Sequence, residues 1–265
     1  MRVLWIWSMM FVWGSAAITN SAMLARIAAE ANATSPFSFV VMGDSRNGND
    51  VLRAIIRSVN DDASIRFSLN NGDLVPHGRQ DEFTEYARII AQAKRPLINI
   101  IGNHEIYVPG KKTNYRTWFG EPYFSFAYAN SYFIITDNAD LMGFDSRQWR
   151  WLTKELERSR NYAHRFVFMH VPLYDPRKGN YARGHSLRSL RAAHRINDLL
   201  DRYDVTMLFA SHIHAYYQGM WHHTPFIITG GAGAPLKSRG FYHYVKVTVD
   251  GEKVGYEVVR VEPKL

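Results

Sequence analysis

Pro96-Leu97-Ile98-Asn99-Ile100-Ile101-Gly102-Asn103-His104-Glu105 is an apolar run that ends in a polar Gly-Asn-His-Glu block. A short, continuous apolar run predicts a strand buried on both faces. The polar block then sits just past the strand's C-terminal end. The same pattern precedes it twice. Phe37 to Met42 ends in Gly43-Asp44-Ser45, and Arg66 to Leu69 ends in Asn70-Asn71-Gly72-Asp73. It follows twice more. Phe166 to Val171 carries His170, and Thr206 to Ala210 ends in Ser211-His212-Ile213-His214. In open α/β sheets, ligands bind at the carboxyl ends of the strands. Polar residues of these types at successive strand ends therefore point to one shared site.

Helical spacing fills the gaps. Asn49 to Val59 places Val51, Ile55, Ile56 and Val59 on one face, and Asp81 to Ala93 does the same with Phe83, Tyr86, Ile89 and Ile90. Arg147 to Arg158, with Ser146 as N-cap, and Leu187 to Asp201 are also predicted helices. Hairpins are expected around Ala129-Asn130-Ser131 and around Asp250-Gly251, the latter joining Tyr242–Val249 to Val254–Val261. Alternating strands and helices with a β-rich end predict an α/β layered domain.

The chain has 265 residues, 46% of them hydrophobic, which suits one large domain. Cysteine is absent, which excludes disulfides, thiolate ligands and a cysteine nucleophile. The net charge of +8 is densest at Arg177, Lys178, Arg183, Arg188, Arg191 and Arg195. It suits an anionic small substrate or a solvated basic face; no nucleic-acid motif accompanies it. Arg2 and the apolar run Val3 to Trp13 have the form of an export signal. Ala31-Asn32-Ala33 is a small-x-small cleavage site, so residues 1–33 are expected to be a signal peptide and residues 34–265 the domain. Cleavage nearer Ala16 or Ala22, or none, with residues 3–19 as a membrane anchor, are the alternatives. The expected location is periplasmic or secreted, or anchored to a membrane.

In their order, Gly43-Asp44, Gly72-Asp73, Gly102-Asn103-His104-Glu105, His170 and His212-Ile213-His214 resemble the calcineurin-like metallophosphoesterase superfamily. His214-Ala215-Tyr216 and Gly230-Gly231-Ala232-Gly233 are similar to the branch that contains purple acid phosphatases. The resemblance implies a four-layer α/β/β/α sandwich and a site for two divalent metal ions. Asp73 would bridge the two, Asp44 and His214 would hold the first, and Asn103, His170 and His212 the second. Such donors suit Fe, Mn, Zn or Co. Two ions can acidify a shared water and clamp phosphoryl oxygens, so the implied activity is hydrolysis of a small phosphate mono- or diester. His104 would assist the leaving group as a catalytic residue. Glu105 would orient His104 or a ligand.

Each residue alone has a plainer role. Asp44 and Asp73 could cap helices, and His170 could be a hydrogen-bonded core histidine. His212 and His214 share one face of an extended strand, which favours chelation. The chain departs from the family at one point: the common first motif is Asp-x-His, and here it reads Asp44-Ser45-Arg46. The tyrosine that compensates in the purple acid phosphatase branch is replaced by Pro76. The first metal is therefore short of a donor: either water fills the position and the first site is weak, or the centre works with one firmly held metal and Arg46 takes over part of the charge. Arg46 either takes a catalytic role, forking onto phosphoryl oxygens, or points outward to a carboxylate such as Asp50. The alternative function is a catalytically impaired phosphate-ligand-binding protein, or an envelope interaction protein of the same fold. Tyr107 to Tyr132, with Trp118, Phe119, Tyr123 and Phe124, and Tyr174 to His185 are expected to border the pocket, unless their aromatics fill the core. His185 and His243 are further pocket candidates.

Overall fold

Residues 18–30, 36–107, 112–237 and 240–262 are described by a computed structural model. The first half of the chain runs α1 (Asn20–Ala28), β1 (Phe37–Met42), α2 (Asn49–Asp61), β2 (Ile65–Asn70), α3 (Gln80–Ile90), β3 (Leu97–Asn99), α4 (Thr113–Phe119), β4 (Phe124–Tyr128) and β5 (Ser131–Ile135). The second runs α5 (Ser146–Ser159), β6 (His164–Phe168), α6 (Leu190–Arg202), β7 (Met207–Ala210), β8 (Tyr216–Trp221), β9 (Thr224–Thr229), β10 (His243–Asp250) and β11 (Lys253–Arg260). One sheet has the order β11-β10-β1-β2-β3, the other β4-β5-β6-β7-β9-β8. β1, β2 and β3 are parallel, as are β5, β6, β7 and β9.

Side chains alternate across a strand, so each apolar strand buries two faces. Phe39 and Val41 of β1 face a core shared with Phe133, Phe166, Phe209 and Ile227 of the other sheet. Phe39 packs edge-on against Phe133 and Phe166, with ring centroids 5.2 and 5.1 Å apart. Val40 and Met42 point the other way and pack with Leu52, Ile55 and Ile89 of α2 and α3. On the second sheet, Ile134, Val167 and Leu208 pack with Leu152, Leu156 and Ile196 of α5 and α6. The result is a four-layer α/β/β/α sandwich. Each buried phenylalanine contributes roughly 1.5–3 kcal/mol of transfer free energy.

Several boundaries differ from the sequence-based expectation. Asp145, not Ser146, caps α5; its carboxylate accepts from Gln148 N at 2.7 Å. α6 begins at Leu190 with Ser189 as cap, because Leu187 is instead buried in the preceding loop. α4 and β8 were not expected. α4 is only two turns long, and β8 is an edge strand with exposed positions, so neither has a strong apolar period.

α1 packs on the edge of the first sheet. The Asn20 side chain donates to Asn99 O and accepts from Asn99 N, both at 2.8 Å, and so closes the free edge of β3. Met23 and Ile27 are buried in the core between the sheets. The apolar run Val3 to Trp13 and the Ala31-Asn32-Ala33 site lie outside the described residues. Among the described residues, no helix is long and apolar enough to cross a membrane.

Candidate metal centre

The parallel strands end at one edge of the sandwich, and the turns after them aim polar side chains inward. Asp44, Asp73 and His212 all have left-handed backbones, with φ of 59°, 54° and 67°. Such φ values are uncommon outside glycine and mark places where the surroundings enforce a turn. Before Asp73, Gly72 has φ of 95°, and a Cβ there would lie 2.4 Å from His170 Nδ1. Glycine is thus required twice over: for its φ, and for room beside His170.

The imidazoles are held by backbone carbonyls. His170 Nδ1 lies 2.9 Å from Asn71 O, and His214 Nδ1 lies 2.8 Å from Pro235 O. In each ring Nε2 is left to face the clustered acidic and amide oxygens, an arrangement typical of metal-ligating histidines. His170 Nε2 lies 3.2 Å from Asp73 Oδ1 and 3.1 Å from Asn103 Oδ1. His214 Nε2 lies 3.5 Å from Asp44 Oδ1. His212 N donates to Asp44 Oδ2 at 2.8 Å.

Two ligand clusters result. Asp73, His170 and His212 offer atoms within 4.8 Å of one another, and so do Asp44, Asp73 and His214. Asp73 belongs to both. The buried atoms Asp44 Oδ1 and His212 Nε2 have no hydrogen-bond partner. Leaving such groups unsatisfied costs about 1–3 kcal/mol each. A divalent cation in each cluster would satisfy them, so the residues present fit two ions.

The electrostatics agree. Burial pushes the Asp44 carboxyl well above the usual carboxylate range. Burial pushes Asp73 up too, but the His170 charge and hydrogen bond outweigh it and hold Asp73 below the ordinary value. His170 is pulled down by burial, yet Asp73 raises it to about 9. Burial draws His212 well below its usual value, and burial with the nearby Arg46 charge draws His214 to about 4. His212 and His214 are thus neutral at physiological pH, the form that ligates.

His104 lies beside this centre. Its backbone N donates to Asp73 Oδ1 at 2.9 Å, its Nδ1 bonds Pro76 O, and its Nε2 lies 3.7 Å from Asp73 Oδ2. Burial lowers its pKa against the pull of Asp73. Arg46 turns inward. Its Nε lies 3.6 Å from Asp73 Oδ2 and its Nη2 3.4 Å from His214 Nε2. The outward pairing with Asp50 is not formed; Asp50 pairs with Arg53.

Glu105 does more than orient one neighbour. Its carboxylate accepts from the backbone N–H of Asp73, Leu74, Val75 and Gly102, at 3.0, 2.9, 3.1 and 2.6 Å. It ties the turn after β2 to the turn after β3. His104 is not among its partners.

A cavity of about 610 Å³ opens over the centre, bordered by Arg46, Asp73, Asn103, His104, His212 and His214 on its floor. His185 reaches it and stacks on His212, ring centroids 3.9 Å apart. His243 does not line it; that ring is buried, with Nδ1 on Phe241 O. Of the aromatic stretch, Tyr107 lines the cavity, while Trp118 and Phe119 pack in the core with Phe83. Lys237 also borders it and had no sequence signal: it follows the glycine-rich segment without any motif of its own.

Known proteins are similar to this chain in sequence or fold. A phosphoenolpyruvate phosphatase of Allium cepa is 26% identical over 209 residues, covering 72% of this chain and 41% of its own. The Fe(3+)-Zn(2+) purple acid phosphatase 12 of Arabidopsis thaliana is 22% identical, covering 86% and 53%. The chain thus spans about half the length of these relatives. The solved structure of purple acid phosphatase PPD1 from yellow lupin seeds superposes with a TM-score of 0.67 at 18% identity, over 86% of this chain and 53% of that one, and shares the fold. The model of the calcineurin-like phosphoesterase family matches residues 37–216, from β1 through the His212-Ile213-His214 turn, and the chain belongs to that family.

Proposed function

We propose that the protein is a metal-dependent phosphoesterase acting on small phosphorylated molecules, with Asp44, Asp73, Asn103, His170, His212 and His214 as ligands to two divalent ions. The observation that carries this is a pair of buried Asp/His clusters sharing Asp73, with ligand atoms that no protein group satisfies. When bound, the ions would supply the charge that clamps phosphoryl oxygens and acidifies water.

The chain's own groups do the rest. Pro76 O engages His104 Nδ1, so Nε2 is the nitrogen that meets a substrate. As the bond from phosphorus to the leaving oxygen breaks, Nε2–H protonates that oxygen; the attacking water keeps one proton on the phosphate and gives the other to solvent, from which His104 is reprotonated. Burial disfavours the charged imidazole, but a phosphate dianion alongside favours it. Arg46 adds positive charge beside the first cluster, where the family's histidine donor is missing, and can fork onto two phosphoryl oxygens. The non-catalytic binding alternative has no need of a histidine at the His104 position.

His104→Ala tests the proton donor. It should keep its metal and lose about 10²–10⁴ in kcat. The loss should be larger for an alkyl phosphate than for p-nitrophenyl phosphate, whose leaving group needs no proton. Equal losses on both would argue against proton donation. For Arg46, an Arg46→His protein with unchanged metal content and turnover would remove it from the reaction.

The reading includes export, with residues 3–19 as signal or anchor. α1 stays with the domain in this reading, so any cut falls before Thr19 rather than after Ala33. Its support is the packing of Asn20, Met23 and Ile27. Losing two buried apolar side chains and the Asn99 pairing should cost about 4 kcal/mol, on the order of 10 °C in Tm. Thermal unfolding of chains starting at Thr19 and at Thr34 measures this; equal Tm values would show α1 to be dispensable.

A further inference from the structure

The outer wall of the cavity differs from its floor. Arg183, Arg188 and Lys237 border it, together with Tyr107, Leu141 and His185. Three cations therefore face one opening, beyond the metal ligands and Arg46. Among the described residues, none of the three is ion-paired, whereas the neighbouring Arg177 is neutralised by Asp175, and Lys112 by Asp137.

These cations are held in place by the backbone. Lys237 N donates to His214 O at 3.1 Å, which ties that residue to the first ligand cluster. Arg188 N donates to Leu141 O at 2.9 Å. The loop carrying Arg183 folds around Asp175, whose buried carboxylate accepts from His185 N at 2.8 Å and from three nitrogens of Arg177. Gly184 passes so close that a Cβ would lie 2.2 Å from Asp175 Oδ2.

A single phosphoryl group would be met by two ions and Arg46. It would leave three unpaired cations around an opening much larger than itself. Stacking a planar base has little support, because among the described residues Tyr107 is the one aromatic ring of the 107–132 stretch that lines the cavity. We propose that the substrate carries a second anionic group, a phosphate or a carboxylate, on the part that leaves, and that Arg183, Arg188 and Lys237 bind it. This rests on the phosphoesterase reading of the same site and specifies its substrate class. The recognition is electrostatic, so it should weaken with ionic strength.

Calorimetric binding of inorganic diphosphate and orthophosphate to the metal-loaded protein tests the inference apart from turnover. Diphosphate should bind at least about tenfold tighter at low salt, an excess of about 1.4 kcal/mol. In Arg183→Gln/Arg188→Gln/Lys237→Gln, a surface change checked for an unaltered Tm, that ratio should collapse toward one. Competition by 3-phosphoglycerate against glycerol 3-phosphate then tells whether a carboxylate serves as well as a phosphate. A ratio unchanged in the triple variant overturns the inference, whatever the turnover. A ratio that collapses in a protein with no phosphoesterase activity upholds the anion site and overturns the phosphoesterase reading instead.

Discussion

Asp73→Asn should fold, lose both metal ions and lose turnover by on the order of 10³-fold or more, about 4 kcal/mol of transition-state stabilisation. The reason lies in its double membership. Asp73 is the one residue common to the two clusters, and its carboxyl is held ionised within the fold. The amide keeps the shape, and its oxygen can still accept from His104 N, so the turn should survive. The lost charge cannot be replaced. His170 also loses the partner that does most to raise its pKa against burial. Elemental analysis together with an aryl phosphate assay measures both effects. Full metal content in the variant would contradict the bridging role.

Glu105→Ala should be the most damaging change to the fold near the site. Four buried backbone N–H groups converge on that carboxylate, two on each oxygen. Burial and the Asp73 charge push Glu105 up to about 8, against the pull of the backbone N–H groups. Each hydrogen bond contributes about 0.5–1.5 kcal/mol, more where the acceptor is ionised, and buried donors left without partners are penalised. Allowing for water entry and non-additivity, a loss of at least about 4 kcal/mol is expected, with Tm lower by roughly 10 °C. Glu105→Gln should fall between, because its NH₂ cannot accept from the donors that faced one carboxylate oxygen. Thermal unfolding decides it, and a Tm within 2 °C or so of the unaltered protein would show that the two turns do not depend on this residue.

The layered fold was legible because its central strands are buried on both faces. Phe37–Met42 and Leu97–Ile101 read as mostly apolar runs for that reason, interrupted by Ser38 and Asn99, and the polar residues after them mark the strand ends. The candidate ligands stood out for the same reason: each follows a strand end that the pattern locates. What could not be read depended on long-range contacts. Asn20 closes the edge of β3 from 79 positions away, and nothing local marks it. The fourfold backbone grip of Glu105 requires two turns to meet. Lys237 reaches the cavity only because its backbone N–H bonds His214 O, whereas His185 was a pocket candidate in the sequence and the loop around Asp175 positions it. Arg46 was visible as a departure from the family pattern, but its inward aim depends on Asp73 and His214 being beside it.

Metal content measured against turnover tests the central claim most directly. The purified protein, stripped with chelator and titrated with Mn²⁺ or Zn²⁺, should regain p-nitrophenyl phosphate hydrolysis as it takes up metal, saturating near two ions per chain. No turnover at any loading, with less than one ion retained, would contradict it.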